Sequence, residues 1–296
     1  MILFYGEGRL GNQIFQYQAL SHAAKPNERI VAVGLEDLHR EFDLQGPPLT
    51  VLTRNGLCKR FVKYFINPML LRPLARTLRI INYAAETTHG VPPHTGAGGA
   101  LMLRKGVIKG ITFVDGGYYQ NASLWTTLFP ATLFRINPRL ERAATSYLDS
   151  VCVTRCPPAF VHVRRSDYAT FNTYGLQDLS LPVTFYDNAI SELERRIGKT
   201  HLVFVTDDPQ WVEDNFQSIS DKTIVSFDAA MDFAIMTRCR AGILSNSTFA
   251  LAAAFMLQDP SVVIVPRFWF GFRVGAWYPP QIFLRHPKLI DVPVQP

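Results

Sequence analysis

Long apolar runs are missing from this chain of 296 residues, since none reaches the roughly 18 consecutive residues that a membrane-spanning helix needs. Charged residues are also few, at 18%, a fraction too low for a disordered chain or a coiled coil. Hydrophobic residues make up 48% of the chain, so it can bury a sizeable core. These figures are typical of a globular protein with two domains or one large α/β unit.

Cysteine is scarce as well. Of four cysteines, only Cys152 and Cys156 lie close together, and no histidine stands at a zinc-ligand spacing from them. We therefore expect reduced, structural thiols. The first residues, Met1–Tyr5, form a short apolar run without a basic flank, so neither a signal peptide nor an anchor is expected, and the expected location is cytoplasmic.

Acidic residues are absent between Asp43 and Glu86, although that stretch holds seven basic residues and the whole chain has a formal net charge of only +6. Apolar residues at helical spacing lie between the basic ones, which predicts a basic amphipathic insertion over about 54–81, broken at Pro68 and Pro73. The insertion is either a solvated helix face or a peripheral contact with an anionic membrane on its inner face. Nucleic acid is not expected, because no nucleic-acid motif accompanies the charge.

Strand and helix patterns alternate along most of the chain, which predicts parallel, doubly wound α/β sheets. The N-terminal part has the order strand, glycine loop, helix, strand, and the alternation becomes more regular after residue 156. There it includes a helix over Pro182–Arg196 and another over Thr248–Leu257. Because Pro157 and Pro158 mark a linker, the predicted domains are residues 1–155 and 156–296.

A glycine pattern opens the chain. Gly6-Glu7-Gly8-Arg9-Leu10-Gly11 matches G-x-G-x-x-G between a strand and a helix. The pattern is typical of a dinucleotide site, with Glu36 after the second strand, but a tight turn alone would also explain it. It continues into Asn12 and Gln13, whose amides should project from the first helical turn.

Polar residues follow the apolar strand Ala159–Val163. Side chains alternate along a strand, so His162 and Arg164 should share one face while Arg165 points to the other. We expect Arg164 to reach a ligand, since a guanidinium donates paired hydrogen bonds to a pyrophosphate, and Arg165 to pair with a nearby acid. A surface salt-bridge cluster is the alternative.

Two further strands end in polar residues. Asp207 and Asp208 follow one of them, where Asp207 is expected to accept hydrogen bonds from a base or ribose and Asp208 to cap the next helix. Ser245–Thr248 lies before an alanine-rich helix. Free amides at such a helix start, together with hydroxyl groups, form a seat for an anion.

Five stretches together resemble the α-1,2-fucosyltransferases of glycosyltransferase family 11 and keep the family's order. They are Gly8–Tyr17, Gly117–Gln120, His162–Tyr168, Thr206–Asp208 and Ser245–Phe249. The resemblance implies a GT-B type of α/β fold, in which two Rossmann-like domains face each other across a cleft. The N-terminal domain would be on the acceptor side, and the C-terminal domain would bind GDP-fucose.

The resemblance also implies the reaction: inverting transfer of L-fucose from GDP-fucose to the 2-hydroxyl of a terminal galactose, on an oligosaccharide or glycolipid. No cofactor or metal is expected, and the sequence contains no Asp-x-Asp. The implied catalytic residues are Arg164, His162 and Asp167, with Asp167 as the base and Glu7 as its rival. The implied donor-binding residues are Gly11, Asn12, Gln13, Arg165, Asp207, Asp208, Asn246, Ser247, Thr248 and Phe249.

Other functions are compatible with parts of the sequence. A GDP-sugar transferase of different linkage would share most of these motifs. A nicotinamide-dependent dehydrogenase would use the glycine pattern but leaves the arginine and Ser245–Thr248 motifs unexplained. A non-catalytic module that binds a GDP-sugar or a glycan could keep all of them.

Overall fold

The structure is a computed structural model that describes residues 1–52, 60–86, 101–120, 133–152, 158–173, 176–258, 260–279, 282 and 288–295. The chain divides into two units, Met1–Asn137 and Pro138–Pro296. The division precedes a helix that begins at Pro138, whereas we predicted it near residue 155. This helix belongs to the second unit, where its Glu141 pairs with Arg238 at 2.5 Å. The predicted linker, residues 153–157, lies outside the described residues.

The first unit is an α/β structure. Among the described residues it forms a six-stranded sheet in the order β4-β2-β1-β7-β5-β6, in which only β6 runs antiparallel to its neighbour. The elements are β1 (Ile2–Tyr5), α1 (Leu10–Ala23), β2 (Ile30–Val33), α2 (Glu36–Glu41), β3 (Phe42–Leu44), β4 (Leu49–Val51), α3 (Val62–Leu71), α4 (Pro73–Thr77), β5 (Ile81–Glu86), β6 (Leu101–Arg104), β7 (Ile108–Val114) and β8 (Phe134–Ile136). Strands β3 and β8 form a separate antiparallel ribbon.

The ends of β1 and β2 approach each other closely. A Cβ atom at Gly34 would lie 2.1 Å from the carbonyl oxygen of Gly6, and Gly34 has φ of +93°. Only glycine meets both conditions at this position without strain. The glycine loop after β1 is therefore shaped by the neighbouring strand end.

The basic insertion is helical, as predicted, but the helix continues through Pro68. Its backbone is wound more widely than an α-helix: the N–H of Arg72 donates to the carbonyl of Asn67, and that of Leu78 to Pro73. A proline ring clashes with the carbonyl four residues earlier in an α-helix, and the wider turn relieves that contact. Residues 54–59 of the predicted insertion lie outside the described residues. No helix in the described ranges is long and apolar enough to cross a bilayer.

The second unit contains a fully parallel sheet in the order β13-β12-β9-β14-β15-β16. Its elements are α5 (Pro138–Val151), β9 (Ala159–Val163), α6 (Ser166–Ala169), β10 (Asn172–Thr173), β11 (Leu176–Gln177), α7 (Val183–Ile197), β12 (Leu202–Thr206), α8 (Pro209–Asn215), β13 (Lys222–Val225), α9 (Ala229–Thr237), β14 (Ala241–Ile243), α10 (Thr248–Phe255), β15 (Val263–Pro266) and β16 (Leu289–Val292). The predicted doubly wound α/β class is confirmed, and the helices predicted over Pro182–Arg196 and Thr248–Leu257 are observed as α7 and α10.

The order of this sheet is the Rossmann order. Counted along the chain, its strands lie as 3-2-1-4-5-6, so the direction of winding changes between β9 and β14. Helix α7 covers one face with Phe185, Tyr186 and Leu193, which pack into the core with the strands. Burying a side chain of this size contributes about 1.5–3 kcal/mol. The sheet is thus a rigid support for the residues at its carboxyl edge.

Candidate functional site

The carboxyl edge of the second sheet brings three predicted motifs together. Strands β12, β9 and β14 are neighbours and parallel, so the residues that follow them emerge side by side. In open α/β sheets, ligands bind in the crevice at the change of winding, which here lies between β9 and β14. The motif beginning at His162 therefore lies beside Ser245–Phe249.

His162 joins these two strand ends. Its Nδ1 lies 2.8 Å from the hydroxyl oxygen of Ser245, and its ring packs 5.8 Å from the ring of Phe249. Burial, together with the positive charge of Arg164, lowers the pKa of His162 to about 3. The imidazole is therefore neutral at physiological pH, so it cannot act there as a proton donor in its charged form.

Arg164 is held by carboxylates. Its Nε and Nη2 atoms lie 2.9 Å and 2.7 Å from Oδ1 of Asp167, and Nε lies 3.3 Å from Oδ2 of Asp207. The guanidinium also lies 5.6 Å from the ring centroid of Tyr168. Only 18% of the Arg164 side chain is exposed, so the group is oriented before any ligand arrives.

Arg165 has a different environment from the one expected. Its guanidinium stacks over the indole of Trp211, 4.5 Å from the ring centroid, while its backbone N–H donates to Asp207 at 2.8 Å. The nearby acids, Asp167 and Asp207, pair with the guanidinium of Arg164, whereas that of Arg165 lies on an aromatic face of α8. Sequence reasoning missed Trp211, since no motif distinguished it from an ordinary core residue.

The two acids after β12 bind to the protein's own backbone and side chains. Asp207 accepts hydrogen bonds from the backbone of Arg165 and from the hydroxyl of Ser166, at 2.8 Å and 2.5 Å. Asp208 accepts from the N–H of Trp211 at 3.1 Å and so caps α8, as expected for its structural role. Asp207 thus fixes the turn that presents both arginines.

The Ser245–Phe249 segment starts α10. Asn246 is fully buried; its Nδ2 donates to the carbonyl of Leu179 at 3.0 Å, and its Oδ1 has no hydrogen-bond partner among the described residues. Ser247 caps the helix by accepting from the N–H of Phe249 at 3.3 Å. One cap satisfies one N–H of the first turn, in which Thr248 is the first residue, so the helix start keeps its partial positive charge.

Tyr168 connects the two loops across the change of winding. Its hydroxyl donates to the backbone carbonyl of Asn246 at 3.1 Å. Burial raises the pKa of Tyr168, so the hydroxyl stays protonated and can donate. The sequence contained Tyr168 in the motif but gave it no separate role.

In the first unit, the amides predicted to project from α1 are engaged within the unit. Gln13 is buried: its Nε2 donates to Asp37 at 3.0 Å and its Oε1 accepts from the N–H of Leu38 at 3.0 Å. Both ends of the Gln13 amide thus tie α1 to α2, and its role in donor binding stays a prediction. Asn12 accepts from Gln120 at 3.4 Å, and Gly11 is buried in the first turn of α1.

Carboxylates of the first unit are also paired. Glu7, the rival base, lies 2.9 Å from the ammonium group of Lys63. Glu86, which sequence reasoning missed, accepts from the N–H of Tyr119 at 3.1 Å, and burial raises its pKa. Within the described residues, no group of three or more His, Cys, Asp or Glu side chains is placed to hold a metal ion.

Comparison with known proteins gives consistent results. Residues 142–271 match the family model described as glycosyl transferase family 11. The chain is 27% identical to the O-antigen biosynthesis glycosyltransferase WbnK of Escherichia coli over 166 residues, which cover 52% of this chain and 54% of that protein. It is 22% identical to galactoside alpha-(1,2)-fucosyltransferase 2 of Mus musculus over 267 residues, or 87% and 68% of the two chains. The match thus spans about half the length of the first of these relatives.

Solved structures show a related fold. A crystal structure of POFUT1 in complex with GDP matches with a TM-score of 0.51 at 13% identity, covering 89% of this chain and 97% of that one. A second, in complex with GDP-fucose, matches with a TM-score of 0.50 at 12% identity and the same coverage. The predicted GT-B type of fold, with two Rossmann-like units, is confirmed.

Proposed function

We propose that this chain, whose residues 142–271 match glycosyl transferase family 11, is a fucosyltransferase that moves L-fucose from GDP-fucose to the 2-hydroxyl of a terminal galactose. The observation that carries the proposal is the position of Arg164. It stands at the change of winding of the second sheet, oriented by Asp167 and Asp207, and beside the loop that starts α10. A preoriented guanidinium next to a helix N-terminus suits a diphosphate.

The donor is proposed from the relatives and from the chemistry of this edge. Solved structures of similar fold contain GDP and GDP-fucose. A GDP-sugar has two phosphates, whose charge must be offset in the site. Arg164 supplies a fixed positive charge with paired donors, and the start of α10 supplies backbone N–H groups.

In the proposed reaction, O2 of galactose attacks C1 of fucose from the side opposite to the diphosphate, which inverts that carbon. The bond from C1 to the β-phosphate oxygen breaks, and the oxygen keeps the electron pair. The proton of the galactose hydroxyl leaves to a base. Negative charge therefore grows on the departing GDP, and Arg164 and the positive end of α10 are the groups proposed to stabilise it.

No metal ion is proposed in this reaction, because the arginine and the helix amides can supply the charge that a divalent cation would otherwise provide. His162 is proposed to act through its position: as a neutral, buried ring it holds the ends of β9 and β14 together. Asp167 accepts both Arg164 hydrogen bonds on the same oxygen, Oδ1, so we propose that it orients the guanidinium. Deprotonation of galactose by Asp167 is the alternative role.

The acceptor is proposed from the names of the relatives. One is a galactoside alpha-(1,2)-fucosyltransferase and the other acts in O-antigen biosynthesis. Both names describe transfer to a saccharide. A galactose-terminated oligosaccharide or glycolipid is therefore the proposed acceptor class.

The test is GDP release from GDP-fucose by the purified full-length chain in the presence of EDTA. The acceptor is a galactose-terminated disaccharide, and the matched control is the same disaccharide with a 2-deoxygalactose. We expect release with the first and background release with the second. Equal release with both would refute the 2-hydroxyl as the target, and activity that EDTA abolishes and Mg²⁺ restores would refute the metal-free reaction. Tight GDP binding without turnover on any acceptor would indicate a binding module.

A further inference from the structure

The first unit has a surface of exposed apolar and basic side chains that do not pack in its core. Along α3, α4 and the turn before them, outward-facing side chains form two adjacent rows at a spacing of four residues. The apolar row has exposed fractions of 55%, 53% and 72% for its three members in chain order. The two rows are Phe61, Phe65 and Met69, and Arg60, Tyr64, Arg72 and Arg76, with Pro68 at the position between Tyr64 and Arg72. We call the seven residues other than Pro68, with Leu78 and Arg79, the basic apolar face.

The opposite side of the same helices packs against the sheet. Leu71, Leu74 and Ala75 contact the cluster that contains Ile81 and Phe113. A surface helix ordinarily turns its apolar stripe toward the core and its polar residues outward. Here a second set of apolar residues packs in the core, so core packing does not explain the outward-facing apolar row. The rings of Phe61 and Phe65 stack on each other at 5.4 Å in the exposed row.

The surface extends onto the start of β7. The N–H of Val107 donates to the carbonyl of Arg79 at 3.0 Å, and that of Ile108 to Ile80 at 2.8 Å. These bonds bring Val107, which is 82% exposed, next to the end of the helical segment, where Leu78 is 61% exposed. The apolar residues therefore continue beyond the helices rather than ending with them.

The charge of this surface is of one sign. Arg60, Arg76 and Arg79 form no ion pair with any described acid, whereas Arg72 is paired with Asp115 at 2.9 Å. Three arginines thus remain uncompensated beside exposed aromatic and aliphatic side chains. Uncompensated cations that flank aromatic and apolar residues are the arrangement that binds the interface of an anionic bilayer.

We propose that the basic apolar face docks the protein on the surface of an anionic lipid bilayer. The phenylalanine and methionine side chains enter the interface, and the arginines contact the lipid headgroups. A second copy of the chain fits less well, because the same three arginines from each copy would face one another. Nucleic acid fits less well because the apolar row has no counterpart on a phosphate backbone.

The test is co-sedimentation of the full-length chain with vesicles of phosphatidylcholine, with or without phosphatidylglycerol. We expect binding that requires phosphatidylglycerol and weakens with added salt. Each arginine at an anionic surface contributes about fivefold to partitioning, so Arg76→Gln/Arg79→Gln should lower it by about 25-fold. The matched control is Arg195→Gln/Arg196→Gln, which removes equal charge from the exposed end of α7, where Glu192 pairs with both.

The apolar contribution is measured with Phe61→Ser/Phe65→Ser, which should weaken binding to phosphatidylglycerol vesicles at every salt concentration. Circular dichroism and thermal unfolding of each variant report whether it is folded. Equal loss in the α7 control, or equal binding to both kinds of vesicle, would overturn the proposal. The proposal would also be overturned if the chain failed to bind vesicles and instead self-associated in a concentration-dependent way that Phe61→Ser/Phe65→Ser abolishes. Lipid binding is scored without the transfer assay, so its outcome is independent of the proposed reaction.

Discussion

Replacement of Arg164 by lysine tests the proposed role of the guanidinium most directly. The residue makes two hydrogen bonds to Asp167 and a third contact, at 3.3 Å, to Asp207. Lysine keeps the charge but has one ammonium group on a flexible stem, so it cannot keep this three-point orientation or donate a parallel pair of hydrogen bonds to a phosphate. Arg165→Lys is the matched control, because it makes the same chemical change at the next position.

The expected magnitudes differ because the two environments differ. Loss of one preoriented donor to a group that gains charge in the transition state costs about 2.7–4 kcal/mol, or about 10²- to 10³-fold in kcat. Arg165 lies on the indole of Trp211 at 4.5 Å, and loss of such a stacking contact costs about 0.5–1 kcal/mol, or two- to fivefold. Turnover of Arg165→Lys should therefore exceed that of Arg164→Lys by at least about tenfold.

The assay is initial-rate GDP release at saturating donor and acceptor, which separates kcat from KM. Thermal unfolding of both variants should show that they are folded. If Arg164→Lys turns over within a few-fold of the parent, Arg164 does not stabilise the departing diphosphate. If Arg165→Lys loses more than Arg164→Lys, the assignment of the two arginines is reversed.

Three further predictions concern other residues. Asp167→Asn should lower kcat and leave the acidic limb of the pH–rate profile in place if Asp167 orients Arg164; loss of that limb would identify Asp167 as the base. Burial raises the pKa of Asp232 from 3.8 to about 6, so its charge destabilises the fold as the pH rises through that interval. Urea unfolding should find Asp232→Asn more stable than the parent by up to about 3 kcal/mol at pH 8 and equal to it below pH about 4. Gly34→Ala would press a Cβ onto the Gly6 carbonyl and should lower the free energy of unfolding by about 2–4 kcal/mol. The control Gly198→Ala has φ of +78° but open space around it, so it should lower the free energy of unfolding by about 1–2 kcal/mol. Equal losses in the two variants would refute the contact at Gly34.

The parts of the fold set by local pattern could be predicted from the sequence. The apolar run bounded by polar residues predicted β9 at the observed bounds, Ala159–Val163, and the strand–helix alternation predicted a parallel sheet. Because the carboxyl ends of parallel strands share one edge, the motifs predicted after β9, β12 and β14 lie together in the structure.

Pairings across long sequence separations could not be predicted in this way. Which arginine pairs with Asp207 depends on Trp211, whose position is set by the packing of α8. The partners of Gln13 lie more than twenty residues away, in α2, and a single sequence does not indicate them. The course of the helix through Pro68 depends on its wide winding, whereas the sequence rule considers only the clash in an ordinary α-helix.

Asn246, at the carboxyl edge of the second sheet, has a buried side-chain oxygen without a hydrogen-bond partner among the described residues. Asn246 directs Nδ2 to the carbonyl of Leu179, which fixes the amide orientation because only the nitrogen can donate. Its buried Oδ1 is left without a partner, at a cost of about 1–3 kcal/mol. An amide oxygen can only accept, so a phosphate oxygen cannot satisfy it, whereas a hydroxyl can. We therefore propose that Arg164 and the start of α10 bind the diphosphate of the proposed donor, and that Asn246 accepts a hydrogen bond from a hydroxyl of its sugar or ribose.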